Sequence, residues 1–192
     1  MTENSTIVPG ETRTREELVA AVASGVRPKY LHFWGHRPQR DGQIGAGALS
    51  QWWPSPFTVD GVQYRTAEHW MMAGKARLFG DEEILPRILQ SRTPAEAKKL
   101  GRLVRGFDDA RWTAQRFDLV VAGSVAKFGQ DDRLRAYLVR TGGRVLVEAS
   151  PLDRIWGIGL AADDERANSP AQWPGLNLLG FALMEARAQL TG

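Results

Sequence analysis

Cysteine is absent from the 192-residue chain, which excludes a disulfide framework, a thiolate nucleophile and any cysteine-based zinc site. No apolar run is long enough to span a bilayer, and the opening stretch MTENSTIVPGETRTREE is polar throughout, without the apolar segment of a signal peptide. The expectation is a soluble, cytoplasmic chain with no membrane partner. Histidine is scarce: His32, His36 and His69 are the three in the chain, and they fall at no recognised ligand spacing, so neither a metal nor a cofactor is expected. An excess of one charge is also nearly lacking, with a formal net charge of +3. Lysine is rare as well, because 20 of the 25 basic residues are arginine. The planar guanidinium fork suits phosphate, so an anionic ligand is more plausible than the small net charge suggests. Tryptophan, in contrast, is abundant, with seven residues. Such rings stack on a base or a sugar, although the core is the commoner fate of any one of them.

At this length one domain suffices. Residues 1–13 read as a disordered lead-in. Thr14 and Glu17 form a capping box for a helix to about Ala23, closed by Gly25. Tyr30–Trp34 reads as a strand. The polar, Gly-rich stretch His36–Gly47 is a loop from which Arg37 and Arg40 can reach a phosphate, although it lacks the spacing of a P-loop. Phe57-Thr58-Val59 and Val62-Gln63-Tyr64 flank Asp60-Gly61, the signature of a β-hairpin. Thr66 caps a helix over Ala67–Phe79, and Asp81 caps a segment through Gln90. Thr93-Pro94-Ala95-Glu96 starts a helix to about Val104. Asp108 or Asp109 opens a longer helix through Phe128, followed by a short one over Asp131–Arg140. Arg144–Ala149 is a strand, Ser150–Gly159 and Asp163–Ala171 are loops, and a final helix runs from about Asn177 to Leu190. About seven helices, a hairpin and two more strands, without β-α-β alternation, predict an α+β fold. It is a predominantly helical single domain with a small β-sheet. Residues 1–28 form an N-terminal extension with a short helix, and 29–192 the domain proper.

The stretch Ser55–Asp81 carries the chemistry. Glu68 lies in the first turn of its helix, where free N–H groups favour a carboxylate. Lys75 follows seven residues later, on nearly the same face and roughly 10 Å along the axis. The pair reads either as an acid and an amine opening on one pocket, with Trp70, Met71 and Met72 nearby, or as a solvated face over a Met/Trp core. On the longer helix, Trp112, Arg116, Leu119, Gly123 and Lys127 recur at helical spacing, so one face mixes aromatic and basic groups. His69 faces elsewhere on its helix and reads as structural.

Several separated segments resemble the NADAR (YbiA-like) family. They are Tyr64–Trp70 with Ala73-Gly74-Lys75-Ala76, Ala97–Arg102, Lys127-Phe128-Gly129-Gln130, Leu146–Pro151, Asp153–Gly159 and Trp173–Gly180. They occur in order from about Tyr30 to Leu190. One departure is Leu49-Ser50-Gln51-Trp52, where the family often has Leu-Ser-Asn-Phe, a change that bears on what a pocket accepts. The resemblance implies a mostly helical fold with a small sheet and an N-glycosidase that cleaves a base-like group from a ribose bearing phosphate or ADP. Some members resemble enzymes acting on ribosylamino-pyrimidine phosphates of riboflavin synthesis. Others are similar to antitoxins that remove ADP-ribose from guanine in DNA. The implied partners are therefore a ribosyl phosphate or ADP-ribosyl small molecule, or ADP-ribosylated DNA.

Such a reaction needs a proton for the leaving nitrogen, relief of charge at the anomeric carbon, and water. Glu68 is the expected acid–base group. Either a carboxylate, Asp153, stabilises an oxocarbenium-like state, or Lys75 attacks the ring-opened sugar and forms a Schiff base. Trp112 and Trp156 are assigned to the sugar and base, or to core packing. Arg102 and Lys127 are assigned to phosphate, or to a solvated face. Asn177 is either a helix cap or a ligand partner. The competing function is a non-catalytic module that binds ADP-ribose or NAD.

Overall fold

The structure, a computed structural model, describes residues 8–39 and 42–192. Several helices begin where a side chain at the cap takes up a free N–H group of the first turn. Thr14 accepts from Glu17 N at 3.1 Å to start α1 (Arg15–Ala23), and Thr66 from His69 N at 3.4 Å to start α2 (Ala67–Leu78). Thr93 accepts from Glu96 N at 3.2 Å for α4 (Pro94–Gly101), and Asp108 from Arg111 N at 2.6 Å for α5 (Asp109–Gly129). The remaining helices are α3 (Ile84–Gln90), α6 (Asp132–Arg140) and α7 (Leu178–Thr191), and the strands are β1 (Tyr30–Phe33), β2 (Phe57–Val59), β3 (Val62–Tyr64) and β4 (Val145–Glu148). The fold is α+β and predominantly helical, in accord with the pattern of the sequence. No helix among the described residues is long and apolar enough to cross a membrane.

By its internal contacts the chain divides into two compact units. One is built from both ends, the residues up to Trp34 together with Ala136–Gly192; the other is the continuous stretch Gly35–Arg135. In the first, β1 and β4 pair in parallel, with Tyr30 opposite Val145 and Phe33 opposite Glu148. Parallel pairing requires a crossover, and here the crossover contains the whole second unit. Helix α7 packs on β4, burying Leu146, Leu179, Phe181 and Leu183. The approach is close enough that a Cβ on Gly180 would run into Leu146 O and the Asn177 amide. The lead-in differs from expectation: Pro9–Glu11 is a 3-10 turn, and Gly10 and Thr12 are buried. Arg187 of α7 donates to Gly10 O at 2.9 Å and so holds this segment in place. Residues 1–7 of the expected lead-in lie outside the described residues, as does Arg40.

In the second unit, β2 and β3 form the expected hairpin, with Asp60 and Gly61 both at positive φ, 49° and 76°. Tyr64 stacks on Phe57 and meets Trp70 edge-on, with centroids 5.7 and 5.1 Å apart. Helix α2 packs against α3, α4 and α5. Its alignment on α5 is fixed by two glycines. Gly123 admits the Trp70 indole and Gly74 admits Leu119, while Trp70 Nε1 donates to Leu119 O at 2.7 Å. Helix α4 ends at Gly101, three residues before the expected Val104, because the last turn tightens as Arg102 N reaches Lys98 O and Lys99 O together. Pro86 falls in the first turn of α3, where its missing N–H is harmless.

Candidate active site

Helix α2 presents both chemical candidates of the Gly35–Arg135 unit. Glu68 is buried in its first turn, and the Glu68 backbone N–H donates to Gln51 O at 3.1 Å. The residue that departs from the family pattern thus sits beside the candidate acid. Gln51 is itself buried, with its Nε2 3.5 Å from Met71 Sδ.

Lys75 is half-buried at the other end of α2. Its Nζ donates to Gly101 O at 3.0 Å and lies 4.2 Å from the ring centroid of Phe107 and 5.8 Å from that of Trp112. Burial among these groups lowers the pKa of the amine below the ordinary lysine value. Phe107 is partly exposed and packs edge-on against Phe79 at 5.3 Å. It was missed in the sequence, where it is one aromatic in a short loop with no periodicity to mark it. Trp112 is buried, as the core reading has it, and its ring faces the amine.

The two cations assigned to phosphate or to a solvated face differ in their surroundings. Lys127 is only 2% exposed, and its Nζ donates to Ala48 O at 2.7 Å and Ser50 O at 2.8 Å. Its hydrogen bonds are spent on the backbone, holding the segment before Gln51 against α5. Burial brings its pKa down to about 7. Arg102 closes α4 beside the carbonyl that Lys75 uses, and its side chain is exposed. His69 is structural. Its Nε2 faces Ser91 O at 3.2 Å and so carries the proton, which leaves Nδ1 to accept from the Thr66 hydroxyl at 2.8 Å. Burial lowers its pKa and keeps it neutral.

In the other unit, Asp153 Oδ1 accepts from Ile155 N at 2.9 Å and Trp156 N at 2.8 Å, folding the loop that carries Trp156 into a tight turn. Leu176 N, Leu178 N and Leu179 N donate back to Arg154, Ile155 and Trp156, so this loop is tied to the start of α7. Trp156 is partly buried. Asn177 precedes α7 in the left-handed region, φ 57°, and its side chain does not cap the helix. Instead its Oδ1 accepts from Glu148 N and its Nδ2 donates to Leu146 O, both at 2.9 Å. Fully buried, it serves as a rivet between β4 and α7. Among the described residues no group of three or more His, Asp and Glu side chains is arranged to hold a metal ion.

Comparison with known proteins defines the class. The chain is 41% identical over 167 residues to "N-glycosidase R617" of Acanthamoeba polyphaga mimivirus, covering 84% of this chain and 96% of that protein. It is 32% identical over 144 residues to "N-glycosidase YbiA" of Escherichia coli (strain K12), covering 75% and 81% of the two. The NMR structure of the E. coli protein YbiA superposes with a TM-score of 0.65 at 27% identity, over 86% of this chain and 87% of that one. The NADAR domain model matches residues 32–191. The chain belongs to the NADAR family.

Proposed function

We propose that the chain is a hydrolase of N-glycosyl compounds, cleaving an N-ribosyl bond between a base-like group and a sugar that carries phosphate or ADP. Lys75 is the nucleophile and Glu68 the acid–base group. The observation that carries the reading is the Lys75 amine, which burial shifts toward its neutral, nucleophilic form between two aromatic rings.

The steps balance without a cofactor. As the bond between the ribose ring oxygen and C1 breaks, Glu68 gives that oxygen a proton and C1 becomes double-bonded to the leaving nitrogen. The neutral Lys75 amine adds to C1, and the proton it then sheds goes to the Glu68 carboxylate. Glu68 returns a proton to the leaving nitrogen, the C1–N bond to the base breaks, and a lysyl imine remains. Water adds to that imine, the amine leaves, and the sugar is released as the aldehyde, which recloses. Asp153 is the candidate carboxylate of a competing oxocarbenium route. Its own geometry supports a turn-holding role for the Trp156 loop.

Borohydride added during turnover reduces an imine to a stable secondary amine. The expected result is a ribosyl adduct mapped to Lys75 by mass spectrometry, and absence of any adduct rejects Lys75 as nucleophile. Glu68→Gln is expected to lower turnover about 10²–10⁴-fold while keeping ligand affinity. A binding module for ADP-ribose or NAD would show no turnover in the unsubstituted protein. Base release from a ribosylamino-pyrimidine phosphate and from ADP-ribosylated guanine in DNA, assayed side by side, decides the substrate.

A further inference from the structure

Helix α5 carries a second basic side chain whose surroundings contrast with those of Lys127. Arg116 is 8% exposed. Its Nε is buried and finds no acceptor. An arginine stays charged at any physiological pH and presents five donors. A buried guanidinium N–H without an acceptor is unfavourable, and the oxygen of a bound anion supplies that acceptor. Arg187, the other buried arginine among the described residues, shows what a structural one looks like, with three acceptors within 3.0 Å. Arg116 has the opposite character.

Its position on the helix bears on what could partner it. Arg116 stands one turn beyond Trp112, whose ring faces the Lys75 amine, and so about 6 Å further along the axis. Eleven residues separate it from Lys127, three turns that return nearly to the same stripe of α5. We infer that Arg116 is the phosphate-binding residue of this unit, its guanidinium taking two oxygens of a phosphate or diphosphate carried on the sugar. The fork geometry suits a bidentate contact with phosphate. Lys127, given to phosphate on sequence grounds, has no donor left for it beyond those on Ala48 O and Ser50 O except in its protonated form, where it is still fully buried. The inference deepens the proposed function and rests on it for the identity of the sugar, while binding itself can be tested without turnover.

Calorimetric titration of the full chain with ribose, ribose 5-phosphate and ADP-ribose separates the sugar from its phosphates. The unsubstituted protein is expected to prefer a phosphorylated ligand over ribose. Whether ribose 5-phosphate or ADP-ribose binds better distinguishes a terminal monophosphate from a diphosphate. Arg116→Gln is expected to reduce that preference at least tenfold, and Arg116→Lys to restore part of it, with ribose binding unchanged. An unaltered preference in Arg116→Gln overturns the inference. Should that variant fail to fold, phenylglyoxal modification of the unsubstituted protein answers the same question. Inorganic phosphate is expected to protect Arg116, located by mass spectrometry, and lack of protection overturns the inference. The outcomes are separable from the fate of the reaction. Phosphate-dependent binding through Arg116 without base release would reject the glycosidase reading alone. Base release equally fast in Arg116→Gln, at the same KM, would reject the phosphate role alone.

Discussion

Lys127 and Arg116 are both buried cations on one helix, and they differ in their partners. The Lys127 amine can supply two N–H groups to Ala48 O and Ser50 O even when neutral, which is the form burial favours. A pH effect follows. The folded value, about 7, lies below the ordinary lysine value of about 10.4, so between those limits the unfolded chain holds the extra proton. Stability therefore rises with pH across that window. Chemical denaturation of the unsubstituted protein and of Lys127→Met at pH 7 and pH 10 is expected to show the unsubstituted protein gaining stability relative to the variant at the higher pH. Equal changes in the two would place the amine in water. At this scale the sequence revealed that cations recur on one face of α5. It did not reveal which of them already has acceptors, because those lie on the backbone of a loop 77 and 79 residues away.

Helix starts and turns were legible because their causes are local. Thr14, Thr66, Thr93 and Asp108 each bond to an N–H three residues on, and Asp60-Gly61 adopts positive φ within the hairpin itself. Helix ends and faces were less so. The stop at Gly101 and the left-handed Asn177 depend on what each end packs against. The clearest case is the seam between α2 and α5, where Gly123 has no local reason to be glycine in mid-helix. Its cause is Trp70, whose indole occupies the space a methyl group would need. Gly123→Ala is therefore expected to destabilise the protein by about 1–3 kcal/mol in urea unfolding, since overpacking outweighs the ~1 kcal/mol gain in helix propensity. A stabilised variant would mean the indole moves aside at little cost.

On the scale of the whole molecule, the unit containing the parallel pair is assembled from both ends of the chain. Arg187 illustrates the consequence. It donates to Gly10 O, 177 positions earlier, and to Thr141 Oγ1 and Arg144 O. Removing it leaves buried acceptors without donors, at about 1–3 kcal/mol for each. Arg187→Met is expected to lower the melting temperature and to expose residues 8–13 to limited proteolysis while leaving the Gly35–Arg135 unit resistant. Uniform digestion of both units would instead mean that they open together.

By itself the sequence determined the α+β class, the seven helices, the hairpin, the family, and the placing of an acid and an amine on one helix. Each of these depends on residues a few positions apart or on a pattern spread in order along the chain. Only the tertiary structure decided that Lys127 and Asn177 are spent on the backbone, that Phe107 and Trp112 flank the Lys75 amine, and that the buried Arg116 Nε finds no acceptor among the described residues. A side chain's usable hydrogen bonds are those its neighbours leave over, and those neighbours are set by packing between distant segments.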